Sequence, residues 1–252
     1  MKCIILAAGY ATRLYPLTEN FPKPLLDVNG KTILDYLIDD LEEKNYIDEY
    51  LVVTNHKFAD IFREWSKDNK KIRIIDDGTT TNENRLGALQ DIRYCLSYLG
   101  TESDVLVIAG DNLLDFSLND FIEYAKSVNT SCVMTYELND INKLRRTGVL
   151  ELDENNKVIS MEEKPEEPKS NFACPPFYYY KNEDINLIEE ALYDGVSADA
   201  PGSFISWLCE RSDVHAFPMP GKRYDIGNIE SYEEAKRLYK GVKYENKSNI
   251  KK

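Results

Sequence analysis

The chain has 252 residues and carries 31 Lys plus Arg against 44 Asp plus Glu, a formal charge of −13. That length suits one large α/β domain or two small ones, and 42% hydrophobic with 11% aromatic residues is the composition of a folded protein, which excludes a disordered one. The acidic balance argues against binding of DNA or RNA backbones, and no stretch approaches the roughly 20 consecutive apolar residues of a membrane span.

Short apolar runs alternate with amphipathic segments. The runs at 3–8, 50–55, 71–76, 104–110 and 131–138 are rich in Val and Ile and predict buried strands. Between them, 32–43 places Ile33, Leu34, Leu37, Ile38 and Leu41 on one helical face, and 57–68, 85–99 and 117–128 repeat that pattern. Strand and helix in alternation predict an α/β fold: a mostly parallel central sheet with helices on both faces. After residue 140 or so the pattern changes. A hairpin is predicted over 148–165 and one strand over 172–180, followed by helices near 184–193, 202–211 and 229–240. No Gly-, Pro- or Ser-rich linker separates the halves, so one compact unit with a second lobe is expected, ending in a basic, polar tail at 246–252 that should fray.

The five cysteines, Cys3, Cys95, Cys132, Cys174 and Cys209, are never in a CxxC pair and read as reduced thiols of a cytoplasmic protein. With only His56 and His215, a zinc site is not expected; a metal here would be a hard cation held by carboxylates.

Four segments can carry chemistry. The first strand runs into Ala8-Gly9-Tyr10-Ala11-Thr12-Arg13-Leu14, where small residues would let backbone N–H groups approach phosphates and a following helix would add partial positive charge. Arg13 offers a fixed fork of donors, and Lys23 stands between two prolines that stiffen its loop. Taken singly, a glycine after a strand more often just closes a turn, and this is not a GxGxxG dinucleotide fingerprint. Asp111 follows a buried strand, and that end of an open α/β sheet lines the ligand crevice, so Asp111 is a candidate Mg²⁺ ligand. Its competing role is an N-cap for the helix near Ser117, for which Asp115 is better placed. Asp225, in the run Lys222 to Asn228, could face Asp111 across a cleft, although alone it is more often a turn former. Glu163 and Lys164 could meet sugar hydroxyls and a phosphate, against the blander reading of a surface charge run. Gly87, in Leu86-Gly87-Ala88, could let a flat base lie against backbone.

In this order, LAAGYATRLYPLT and PKPLL (6–18, 22–26), LGA (86–88), AGDN (109–112), EEKP (162–165) and YDIG (224–227) resemble the sugar-1-phosphate nucleotidyltransferases, over about residues 1–240. Within that family the chain looks like glucose-1-phosphate thymidylyltransferases and mannose-1-phosphate guanylyltransferases. The resemblance implies a Rossmann-like nucleotidyltransferase fold in a single domain over 1–240, with a nucleotide-binding half (about 1–140), a small β-rich sugar-binding lobe (about 141–240) and a polar tail at 241–252. It implies a transferase of thymidylyl/uridylyl or guanylyl type that joins an NTP to a sugar 1-phosphate, giving an NDP-sugar and pyrophosphate with Mg²⁺. Carried over by position, Leu6, Ala8, Gly9, Arg13, Lys23, Gly87 and Asp111 would bind nucleotide, with Arg13 and Lys23 catalytic. Gly148, Glu163 and Lys164 would bind the sugar phosphate, and Asp111 and Asp225 the metal. The expected partners are these two substrates, with neither nucleic acid nor membrane; a homo-oligomer is left open.

The chain departs from the family pattern in three places. Ala8 and Ala11 replace loop glycines, and a left-handed turn at Ala11 would be uncomfortable. Cys174-Pro175-Pro176 changes the wall near the sugar, and 76–87 leaves the base open. No hexapeptide repeat occurs, so a second acyltransferase domain is expected to be absent. Two other readings compete: a CTP-dependent cytidylyltransferase acting on phosphocholine or another phospho-alcohol, and a nucleotide-sugar binding protein without turnover. Tyr178, Tyr179 and Tyr180 are consecutive on a strand and so cannot all line one cage for a quaternary ammonium.

Overall fold

The computed structural model describes residues 1–99 and 102–244; the tail at 246–252 lies outside them. In chain order the strands and helices are β1 (Lys2–Leu6), the short hairpin β2 (Asp27–Val28) and β3 (Lys31–Thr32), α1 (Ile33–Glu42), β4 (Glu49–Thr54), α2 (Ala59–Ser66), β5 (Ile72–Asp76), α3 (Ala88–Leu96), β6 (Val105–Ala109), β7 (Asn112–Leu114), α4 (Leu118–Val128) and β8 (Ser131–Glu137). There follow α5 (Ile141–Leu144), β9 (Gly148–Leu152), β10 (Val158–Glu163), β11 (Phe172–Cys174), β12 (Phe177–Tyr180), α6 (Asn182–Ile185), α7 (Ile188–Tyr193), α8 (Gly202–Leu208), β13 (Val214–Pro218), β14 (Arg223–Asp225) and α9 (Ile229–Leu238).

One large sheet has the order β10-β9-β11-β8-β12-β6-β1-β4-β5, with β13 added beside β8. The first-half strands β6, β1, β4 and β5 pair in parallel, while the second-half strands β12, β11, β9 and β10 pair antiparallel. Alternation along the strands separates two core layers. Cys3, Ile5, Tyr50, Val52, Leu106 and Ile108 face α1, α2 and α4. Ile4, Leu51, Val53, Val105 and Val107 face α3, α7 and α8. The central strands β1, β4 and β6 are buried on both faces, which is why their sequences show continuous apolar runs in place of alternation.

Helix starts follow side-chain chemistry. Thr32 and Asp35 form a reciprocal capping box at α1. At α4 the cap is Ser117, which accepts from Asn119 N, while Asp40 accepts from Leu118 N at 2.7 Å. Neither Asp111 nor Asp115 caps this helix. Asp115 instead accepts from Lys222 N and pairs with Lys243, binding the C-terminal segment to β7.

The strand predicted over 172–180 is two strands. Pro175 and Pro176 break the ladder: β11 lies between β8 and β9, and β12 lies between β8 and β6. A residue without an N–H cannot donate to a ladder, so the prolines mark the point where the strand changes partner. Tyr178 and Tyr180 stack at 5.9 Å in one core layer, and Tyr179 points into the other.

Candidate active site

β1 and β6 are parallel neighbours, so Leu6 and Ala109 end at the same edge of the sheet, and Gly110 N closes the gap by donating to Leu6 O at 3.0 Å. The loops that leave this edge carry the chemistry. Contrary to expectation, no α-helix follows β1; a three-residue 3-10 turn, Thr12–Leu14, takes its place. One such turn aligns too few peptide dipoles to act as a helix N-terminus, so the positive charge of this loop comes from side chains. Ala11 does adopt the left-handed conformation, at φ 47°. Two hydrogen bonds to its carbonyl, from Thr18 Oγ1 at 2.8 Å and Leu14 N at 2.9 Å, hold it there.

Lys23 opens a second 3-10 turn between Pro22 and Pro24. Its side chain is 9% exposed and its Nζ lies 2.7 Å from Asp111 Oδ2. The other oxygen of Asp111 accepts from Asn112 Nδ2 at 2.7 Å, and Asn112 Oδ1 accepts from Arg223 at 2.7 Å. β14 pairs with β7 so that Asp225 stands opposite Asn112, which brings two carboxylates 114 positions apart in sequence to one place. A cleft of about 300 Å³ is lined by Leu6, Gly9, Ala11, Arg13, Lys23, Asp111 and Asp225. Arg13 is exposed there and has no hydrogen bond or ion pair among the described residues. Ala8 lies outside the lining; its carbonyl accepts from Asn55 Nδ2 at 3.0 Å.

Gly87, Gly148, Glu163 and Lys164 form a separate group. Gly87, at φ +92°, precedes α3, and a Cβ there would sit 2.5 Å from Ala198 O. Ala88 N and Leu89 N donate to Asp199 O and Ala198 O, so the close approach this glycine permits is to the chain's own backbone. Asp199 also pairs with Arg85 at 2.7 Å and lies 3.9 Å from Lys164 Nζ. Glu163 Oε1 lies against Gly148 and Gly202; a Cβ on Gly202 would fall 2.1 Å from it. Burial pushes the Glu163 carboxyl up from its ordinary value, and the neighbouring Lys164 ammonium opposes that shift. Lys164 N donates to Thr147 O at 3.1 Å, and Thr147 lines a second cavity that borders the first cleft.

The sequence reading missed a third set. A cavity of about 460 Å³ shares Arg13, Asp111 and Asp225 with the first cleft and adds Tyr136, Lys143, Arg146 and Arg223. The signal was the basic run Lys143-Leu144-Arg145-Arg146 just ahead of the hairpin, but nothing in the sequence aimed it at Asp111. Arg223 is also fixed from the side of β8, 3.4 Å from the Tyr136 hydroxyl and 5.7 Å from its ring.

A family model described as "Nucleotidyl transferase" matches residues 2–241. Among curated relatives, a "Bifunctional protein GlmU" of Methanococcus maripaludis is 31% identical over 231 residues, covering 90% of this chain and 52% of that protein. A "Glucose-1-phosphate adenylyltransferase" of Fervidobacterium nodosum is 27% identical over 247 residues, covering 92% of this chain and 59% of that protein. The chain spans about half the length of the first curated relatives it matches. A solved structure described as UDP-glucose pyrophosphorylase complexed with UDP-glucose superposes with a TM-score of 0.77 at 21% identity, covering 94% of this chain and 97% of that one. That likeness is one of fold.

Proposed function

This chain belongs to the nucleotidyl transferase family, and from that premise we propose that it joins an NTP to a sugar 1-phosphate, giving an NDP-sugar and pyrophosphate. The observation that carries the proposal is the convergence of Arg13, the Lys23–Asp111 pair and Asp225 on one cleft at the carboxyl ends of β1 and β6.

The reaction is an in-line displacement. An oxygen of the sugar phosphate attacks the α-phosphorus of the NTP; the bond from that phosphorus to the oxygen bridging the α- and β-phosphates breaks, and pyrophosphate leaves with the electron pair. Nucleophile and leaving group are both anionic, so no protein acid or base is required, and catalysis rests on positioning and charge neutralisation. Gly9 leaves space for the triphosphate against the loop backbone, while Arg13 and Lys23 meet its oxygens as charge moves toward the leaving group. Gly87 at the start of α3 is assigned to the base. Glu163, seated between two glycines, accepts hydrogen bonds from sugar hydroxyls, with Gly148 beside it and Lys164 on the sugar's phosphate.

Mg²⁺ fits the donor set. Among the described residues no group of three or more His, Cys, Asp or Glu gathers as a closed cage. Two carboxylates, Asp111 and Asp225, share the cleft, and a hard cation that keeps waters and binds substrate phosphates needs no more. Held there, Mg²⁺ would neutralise phosphate charge and template the two substrates. The Lys23 contact orients the Asp111 carboxylate in advance.

The phosphocholine alternative has little support, because Tyr178, Tyr179 and Tyr180 are all buried in the two core layers. The test is pyrophosphate release with Mg²⁺, crossing the common NTPs with a panel of sugar 1-phosphates and with phosphocholine. Release that requires one NTP together with one sugar 1-phosphate supports the proposal. Release only with CTP and phosphocholine, or binding without release from any pair, overturns it.

A further inference from the structure

Cations outnumber what a triphosphate and one sugar phosphate require. In the assignment above, the loop backbone, Arg13 and Lys23 serve the NTP, and Lys164 serves the phosphate of the acceptor. Lys143, Arg146 and Arg223 remain, and all three line the 460 Å³ cavity that also contains Asp111 and Asp225. The acids of that cavity are already engaged: Asp111 with Lys23 at 2.7 Å, and Asp225 at 3.6 Å from Arg223. Lys143 and Arg146 are exposed and have no side-chain hydrogen bond or ion pair among the described residues.

Lys70 and Arg237 also lack such partners among the described residues, but Lys143 and Arg146 stand together on one cavity beside Asp111 and Asp225. With 44 acidic residues against 31 basic ones, a surface cation finds a carboxylate easily, as Arg85, Arg93 and Lys157 do at 2.6–2.7 Å. Capping of α5 does not account for the pair, because a four-residue helix has almost no macrodipole to satisfy. Lys143 and Arg146 lie three apart on one turn, closed by Arg146 N donating to Lys143 O at 3.0 Å, so both side chains leave the same short segment. Arg223 is held rigid by Asn112 and Tyr136. Like charges gathered around a cavity repel one another until an anion enters, and Arg forks favour the two oxygens of a carboxylate or phosphate. Thr147 lines the same cavity and bonds Lys164 through the backbone, so one acceptor molecule can reach both cation groups.

We propose that the preferred acceptor carries a second anionic group, a carboxylate or a further phosphate, in addition to the phosphate that is joined, and that Lys143, Arg146 and Arg223 receive it. This rests on the nucleotidyl transfer reading and narrows its substrate class to acidic sugar or polyol phosphates.

The experiment compares glucose 1-phosphate, glucuronic acid 1-phosphate and glucose 1,6-bisphosphate as acceptors, using pyrophosphate release for kcat/KM and calorimetry for binding. It uses the whole chain and a Lys143→Gln, Arg146→Gln double variant. At least one of the two acidic acceptors should exceed glucose 1-phosphate by roughly tenfold or more, the scale of one charge-assisted contact. The carboxylate and bisphosphate arms distinguish the two anions. In the double variant that ratio should fall toward one, chiefly through KM. Equal or better use of glucose 1-phosphate by the unsubstituted protein, or a ratio that survives the substitutions, overturns the inference. If no acceptor gives pyrophosphate, the catalytic reading fails. The anion subsite then stands if calorimetry still shows acidic acceptors binding tighter and the double variant losing that preference, and falls if it does not.

Discussion

Asp91 lies in the first turn of α3, 6% exposed, and its Oδ1 has no hydrogen-bond partner. Burial pushes its carboxyl up from 3.8 to about 7, and the charge of Asp77 adds to the shift. The unfolded chain ionises this group near 3.8, while the folded protein keeps it protonated up to about pH 7. The stability tied to Asp91 is therefore fully present below pH 3.8 and is lost as pH rises through that window. The gap between 3.8 and about 7 corresponds to about 4 kcal/mol of stability lost by pH 8. Asp91→Asn cannot ionise and removes this slope. Asp40, whose carboxyl burial raises to about 6, contributes its own slope equally to both proteins and cancels in the difference. The variant should thus gain stability over the parent between pH 4 and pH 8, the difference in Tm widening by roughly 8–16 °C at 2–4 °C per kcal/mol. Differential scanning calorimetry of both proteins at pH 4, 6 and 8 reads this directly. A Tm difference that stays constant with pH would refute the reasoning, because it would mean that Asp91 is ionised in the fold and finds a compensating partner.

Two further outcomes follow from the site. Asp111→Asn removes the charge that faces Lys23, leaving the fold intact because the side chain is partly exposed; kcat/KM for pyrophosphate release should fall by about 10²–10³-fold and the Mg²⁺ dependence should move to higher concentration. An unchanged Mg²⁺ titration would remove Asp111 from its metal role. Gly87→Ala would force a methyl to within 2.5 Å of Ala198 O at a left-handed φ, and urea unfolding should show a loss of roughly 2–3 kcal/mol; an unaltered midpoint would contradict the close approach of the 198–199 backbone.

The parallel half of the fold was legible because its central strands β1, β4 and β6 are buried on both faces and its helices carry one apolar stripe each. Both patterns are local, and both survive reading residue by residue. Leu34, Leu37, Ile38 and Leu41 sit in the core layer with α2 and α4, on the face their spacing required. The errors came where local pattern gave way to longer-range pairing. The run 172–180 reads as one strand until the partners on either side of Pro175 and Pro176 are known. The loop after β1 reads as the start of a helix until Thr18 and Leu14 are seen holding Ala11 in a left-handed turn.

What the sequence determined by itself was the inventory: an acidic α/β chain, a small-residue loop with Arg13 and Lys23 after the first strand, and Asp111 at the end of a buried one. Each depends on neighbours within a few positions, so spacing along the chain carries the information. Only the tertiary structure decided which of these residues share a cleft. Asp225 reaches Asn112 because β14 pairs with β7, and Lys143 and Arg146 join Arg223 because α5 follows β8 over the same edge of the sheet. Those meetings are set by strand pairing between segments roughly 80 to 110 residues apart, a chain-closure choice governed by packing of the whole sheet rather than by any local preference.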